Sequence, residues 1–208
     1  PFAPREIEMD RLSFGLAGTF DNGFDWNFDM TRSAEDNYGR QPDTGTSKLA
    51  AAIDGKGGPG GNETFNLFDP SANSQELRDW MRSDQETWTN VVLSVVDFVM
   101  SGEVGDISIA AGAQQRREKY DITRSPNSIV EFDAAGNLTK PADMIFLGGG
   151  TESSASRTTN AVFVEASTDL SDRLELKGAM RYEDLENDSN VDPKISLRYE
   201  ASDEVILR

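Results

Sequence analysis

At 208 residues, with 20 Lys and Arg against 37 Asp and Glu, the chain carries a formal charge of −17, which excludes the clustered basic surface that a nucleic-acid partner needs. It has no cysteine and no histidine, so disulfides, thiol chemistry, most zinc sites and Ser-His or Cys-His catalysis are excluded as well. Mean hydropathy is −0.54 and no apolar run approaches the roughly 20 residues of a membrane helix, but alternating strands hide a lipid-facing side from such an average.

The N-terminal residues, Pro1 to Glu6, have neither a basic start nor an apolar stretch, and a signal peptide is not expected in them. From Arg11 to Phe20, Leu12, Phe14, Leu16 and Phe20 alternate with Ser13, Gly15, Ala17 and Thr19, the period of two of a strand. Asp21-Asn22-Gly23 reads as a tight hairpin turn. The return strand sets Phe24, Trp26, Phe28 and Met30 against Asp25, Asn27, Asp29 and Thr31. Phe20, Phe24 and Trp26 at the turn end suit an interfacial aromatic girdle.

Residues 33–85 read as a long polar loop, with the glycines of 55–61 as a flexible tip; they follow no strand and open no helix, so a phosphate loop is not indicated. Ser74 to Met81 reads as a short helix capped by Ser74 or Asn73, with Leu77, Trp80 and Met81 on its apolar side. If this loop contacts a ligand, Tyr38, Phe65, Phe68 and Trp80 are its aromatic candidates.

Thr87 to Met100 is the most apolar strand, and Val91, Leu93 and Val95 are expected on the lipid face; Asp97 then marks a bulge or the membrane edge. A turn at 102–105 leads to Ile107, Ile109, Ala111 and Ala113 opposite Ser108, Ala110, Gly112, Gln114, Arg116 and Glu118. Residues 124–157 form a second long loop with a turn at Asp133 to Asn137. The last quarter repeats the construction with Asn160 to Thr168, Leu174 to Tyr182, a polar segment 184–192, a strand carrying Ile195, Leu197 and Tyr199, a turn at 201–204, and Val205 to Arg208.

The ladder amounts to about eight antiparallel strands. A soluble sheet buries its apolar face, whereas a membrane barrel turns it to lipid and lines its interior with polar groups. Alternation of tight turns with long polar loops favours the barrel. The fold class is all-β, an up-and-down transmembrane barrel, here partial, with long extracellular loops and residues 1–208 forming one unit. Carboxylate groupings such as Glu35 with Asp36, and Glu186 with Asp184 and Asp188, lack calcium-loop spacing. No catalytic or metal-binding set converges and no cofactor is implied, so an enzyme is not expected.

The run from Leu174 to Asp184, the Asp192 to Tyr199 strand with its Asp-Pro-Lys start, and the turn from Ser202 into Leu207-Arg208 resemble the barrel of TonB-dependent outer-membrane receptors. Gly112 to Tyr120 is similar to another strand of that family, and Phe65 to Phe68 to a recurrent loop segment. The resemblance implies a bacterial outer-membrane location and active uptake of a scarce nutrient, such as a ferric siderophore. It also implies a plug domain inside the barrel, the TonB complex, outer-membrane lipid and an extracellular nutrient as partners. Val205 to Arg208 lacks the aromatic expected at a barrel's end, so the chain is expected to be an internal piece of such a receptor. The alternatives are a complete small eight-stranded barrel with a structural or adhesive role, and a soluble carbohydrate-binding β-sandwich.

Overall fold

The computed structural model describes residues 3–202 and 204–207; the expectations at Pro1, Asp203 and Arg208 lie outside them. Eight strands form one sheet. In chain order these are β1 (Arg5–Thr19), β2 (Asp25–Gln41), β3 (Gln85–Val104), β4 (Ile107–Arg124), β7 (Ser153–Ser171), β8 (Leu174–Asp184), β9 (Ser189–Ser202) and β10 (Val205–Leu207), and the sheet follows the same order, with β1 and β10 as its ends. The sheet is unclosed, as expected of part of a barrel. A small hairpin, β5 (Glu131–Phe132) and β6 (Leu138–Lys140), stands apart from it, and two short helices, α1 (Thr46–Ile53) and α2 (Gln75–Met81), precede β3.

The chain divides into two compact units. One comprises residues 10–34, 92–119 and 156–208, and the other residues 1–9, 35–91 and 120–155.

In the first unit the ladder fixes which side chains share a face. β7 and β8 pair from Asn160 opposite Asp184 to Ser171 opposite Leu174, with a bulge between Asp169 and Ser171. β8 and β9 pair without interruption, placing Tyr182 opposite Val191, Met180 opposite Pro193, Leu176 opposite Leu197 and Leu174 opposite Tyr199. These apolar rows are exposed: Ile195 is 80% accessible and Val162, Met180 and Leu197 are each above half. The alternate face carries charges that pair with one another. Lys177 bonds Glu165, Arg181 bonds Glu183 at 2.7 Å, Arg198 bonds Glu200 at 2.6 Å and Arg157 bonds Glu118 at 2.5 Å.

Among the described residues the buried apolar ones are Ala52, Leu77, Met81, Val130, Met144 and Ala161, and all but Ala161 belong to the second unit. A sheet whose apolar face lies open while its opposite face is ion-paired is inverted relative to a soluble sandwich. That exposure counts against the sandwich reading.

Aromatic rings on this unit lie over glycines of the neighbouring strand. Gly18 sits beneath Trp26 and Gly102 beneath Phe24. Gly23, at φ +85°, makes the β1–β2 turn, with Phe20 N–H donating to Phe24 O at 2.8 Å.

The register expected for β3 is reversed. Asp97 accepts from Gln114 Nε2 at 2.6 Å, and Gln114 Oε1 in turn accepts from Arg181 at 3.1 Å. Asp97 therefore belongs to the polar face, while Val96 and Phe98 line an apolar recess with Val162 and Tyr182. Alternation along the strand carries Leu93 and Val95 onto Asp97's side. Phe163 also lies on that face, over Gly112, so the polar face contains apolar positions and a rule of strict polarity misassigns this strand.

Two loop expectations are corrected. β2 runs on to Gln41 through residues read as loop, and the polar segment 184–192 shrinks to the four residues between β8 and β9. Both stretches are hydrophilic on both sides, yet they pair: Asp192 lies opposite Arg181 and Asn190 opposite Glu183. The ladder outlasts the apolar pattern that revealed it.

A Cβ at Gly112 would come within 2.5 Å of Phe163 and 2.6 Å of the Phe98 carbonyl oxygen, whereas one at Gly178 meets nothing. Gly112→Val should therefore cost about 1–3 kcal/mol by overpacking and Gly178→Ala little, as measured by equilibrium unfolding of the two variants side by side.

Candidate functional site

The second unit contains the two long loops, which are built into a structured cap. α1 and α2 enclose a small apolar cluster of Ala52, Leu77 and Met81, with Leu49, Phe65 and Trp80 against it. α2 begins as expected: Ser74 Oγ accepts from Leu77 N–H at 2.9 Å. α1 has no counterpart among the expected elements, because its Thr-Ser-Lys-Leu-Ala-Ala-Ala-Ile stretch offers less than three turns of periodicity and begins at Gly45, which makes no side-chain cap.

Part of the glycine stretch, expected as a flexible tip, is a packed corner. Gly57 and Gly58 are buried, and Gly57 exchanges backbone hydrogen bonds with Glu63 at 2.8 and 2.9 Å. A Cβ at Gly57 would lie 2.7 Å from the Ala52 Cβ and 2.8 Å from a Leu77 methyl group. At Gly57 the missing side chain lets the chain approach the cluster.

Two aspartates join the β2–β3 loop to the β4–β7 loop. Asp43, only 8% accessible, accepts from the Leu147 N–H at 2.6 Å and the Phe146 N–H at 3.2 Å, and also from its neighbour Thr44. Reaching the other way, Asp143 accepts from the backbone and hydroxyl of Ser47 at 2.7 and 2.6 Å. It thereby caps the first turn of α1 from a different loop. Ser83 Oγ donates to the Asp143 carbonyl, and Asn127 donates to Ser83 Oγ at 2.8 Å. At the base of the cap Asp84 accepts from Arg40 and from Arg82, the latter at 2.7 Å. Together these bonds make one body of two loops that read as separate flexible segments in the sequence.

The structure gives the four aromatic candidates different surroundings. Phe65 and Trp80 pack on the helical cluster, with Lys48 Nζ 5.9 Å from the Trp80 ring centre. Tyr38 is on β2 rather than in a loop, its ring 5.4 Å from that of Trp88 and its hydroxyl donating to Glu86 at 2.6 Å. Phe68 is fully exposed on a turn held by Asn66 Oδ1, which accepts from the Phe68 and Asp69 N–H groups. Sequence reasoning did not single out Phe146, which is 83% accessible while its backbone is fastened to Asp43; it sits in the short apolar run Met144-Ile145-Phe146-Leu147, which carries no signal that picks out one side chain as exposed.

Among the described residues no three Asp or Glu side chains gather where a metal ion could be held. Asp36 accepts from Asn90 at 2.8 Å, and Glu186, at φ +70°, accepts from Thr158 N–H at 2.9 Å. These carboxylates are occupied in structure.

An unclosed antiparallel sheet with an open apolar face, an ion-paired opposite face and a structured cap of long loops defines a segment of a transmembrane β-barrel. The family model "TonB dependent receptor-like, beta-barrel" matches residues 2–208, and the chain belongs to that family. The family comprises outer-membrane receptors and transporters rather than enzymes. A search of curated proteins gives no match.

Burial raises the Asp143 pKa, but the bonds from Ser47 and the charge of Lys48 outweigh it and hold the carboxyl below its ordinary 3.8. A carboxyl depressed on folding contributes its stability above the ordinary value and loses it as pH falls through the lower, folded value. Exchange of the Ser47 amide should therefore accelerate only below about pH 4. Asp143→Ala should reproduce this acceleration at neutral pH with a cost of about 1 kcal/mol, measured by amide hydrogen exchange.

Proposed function

We propose that this chain is part of the wall and the outer cap of a bacterial outer-membrane receptor that actively takes up a scarce nutrient such as a ferric siderophore. In this reading the open apolar face contacts outer-membrane lipid, and the ion-paired face looks onto a plug domain belonging to the same receptor. The long-loop cap meets the nutrient from outside. Energy arrives through the TonB complex, which acts on the plug rather than on these strands.

The observation that carries the reading is the pairing of exposure with register: the accessible rows of β8 and β9 are apolar and the alternate rows are charged and mutually bonded. Such a wall is stable where the surrounding medium is apolar and the lumen is wet. The rigid cap adds to this, since a pre-formed surface binds without the cost of ordering loops. The exposed Phe68, Phe132 and Phe146 are among its available rings.

Comparing spent medium from cells with and without the receptor tests the reading. The receptor should deplete a medium component, and deleting TonB should abolish that depletion. Depletion that persists without TonB, or none under nutrient limitation, contradicts active uptake.

A further inference from the structure

The second unit holds a cavity of about 360 Å³ whose lining includes Arg5, Arg40 and Arg124 but no aspartate or glutamate. In a chain with 37 acidic residues against 20 basic ones, three guanidinium groups around one cavity stand against the average. Asn37, Gln41 and Gln85 complete the polar wall. Alternation places Asn37 and Thr87 on the sheet face opposite Tyr38 and Trp88.

The three arginines differ in how much of their bonding capacity is used. Arg40 is tied to Asp84. Arg5 directs Nε to Asn37 Oδ1 at 3.1 Å, and Arg124 directs Nε to the Thr151 carbonyl and Nη1 to Thr87 Oγ1, both at 3.2 Å. Each of these two is positioned by neutral acceptors and, among the described residues, forms no ion pair. Each keeps donors for a planar oxyanion. The fold also makes room for Arg124: a Cβ on Gly150 would lie 2.7 Å from its guanidinium carbon.

We propose that this cavity is an oxyanion-binding site, in which the carboxylate or phosphate of a ligand is held by Arg5 and Arg124. The net negative charge of the chain does not forbid this, because exposed charges farther than about 8–10 Å are screened at physiological salt. The site deepens the uptake reading by giving the captured nutrient a chemistry.

The test is calorimetric titration of the purified full-length receptor with citrate and with glucose 6-phosphate, using glucose as the uncharged control. Saturable binding of either anion, tighter than that of glucose and weakened at least tenfold in R5Q/R124Q, supports the site. Whichever anion binds separates a carboxylate source from a phosphate source. The charge-matched variant K56Q/R173Q should bind as the parent does, and retention of the folded, heat-modifiable gel mobility shows that each variant is intact. Absence of saturable binding by both anions, or binding unchanged in R5Q/R124Q, overturns the proposal. TonB-dependent depletion of a nutrient in cells would survive that result, so failure of this site is distinguishable from failure of the uptake reading.

Discussion

The antiparallel ladder governs this structure, because backbone pairing with a period of two decides which side chains can share a face. A slip of one residue would turn Leu176, Met180 and Leu197 to the ion-paired side and bring Lys177 and Arg181 to the apolar one. The uninterrupted register of β8 against β9 resists that slip, since the slip would carry charged side chains to the apolar side. The bond from Lys177 to Glu165, which crosses from β8 to β7, adds little energy at an accessible site. Its larger effect is to make one register distinguishable from its neighbour.

The cap follows different physics. It has the buried apolar cluster of an ordinary small globule, and the chain packs closely against it at Gly57. What holds its two loops together is a pair of carboxylates receiving backbone N–H groups, Asp43 from Phe146 and Leu147, Asp143 from Ser47. Such bonds satisfy donors that have no partner within their own segment. This is how long loops become a defined surface without cysteine.

The strands were legible in the sequence wherever one face was apolar and the other polar, as in β1, the start of β2, and β8. They were illegible where both faces were polar, so the outer reach of β2 and the beginning of β9 read as loop. The register of β3 was misread because hydrophobic residues occupy both of its faces, and Gln114 and Arg181 on neighbouring strands reveal that Asp97 marks the polar side. The Ser74 cap of α2 was readable because its signal is local. The Asp143 cap of α1 was not, since the capping residue lies 96 positions away. Among the aromatic candidates, residue type alone could not separate Phe68, which stands free, from Phe65 and Trp80, which fill the cluster.

The most direct test of a lipid-facing wall is a nitroxide scan of β8 in the full-length receptor reconstituted in bilayers, placing one label at each position from Glu175 to Tyr182. The alternation predicts oxygen accessibility peaking at positions 176, 178, 180 and 182, with a water-soluble relaxation agent favouring positions 175, 177, 179 and 181. Equal accessibility on both sides, or a period other than two, would contradict the account.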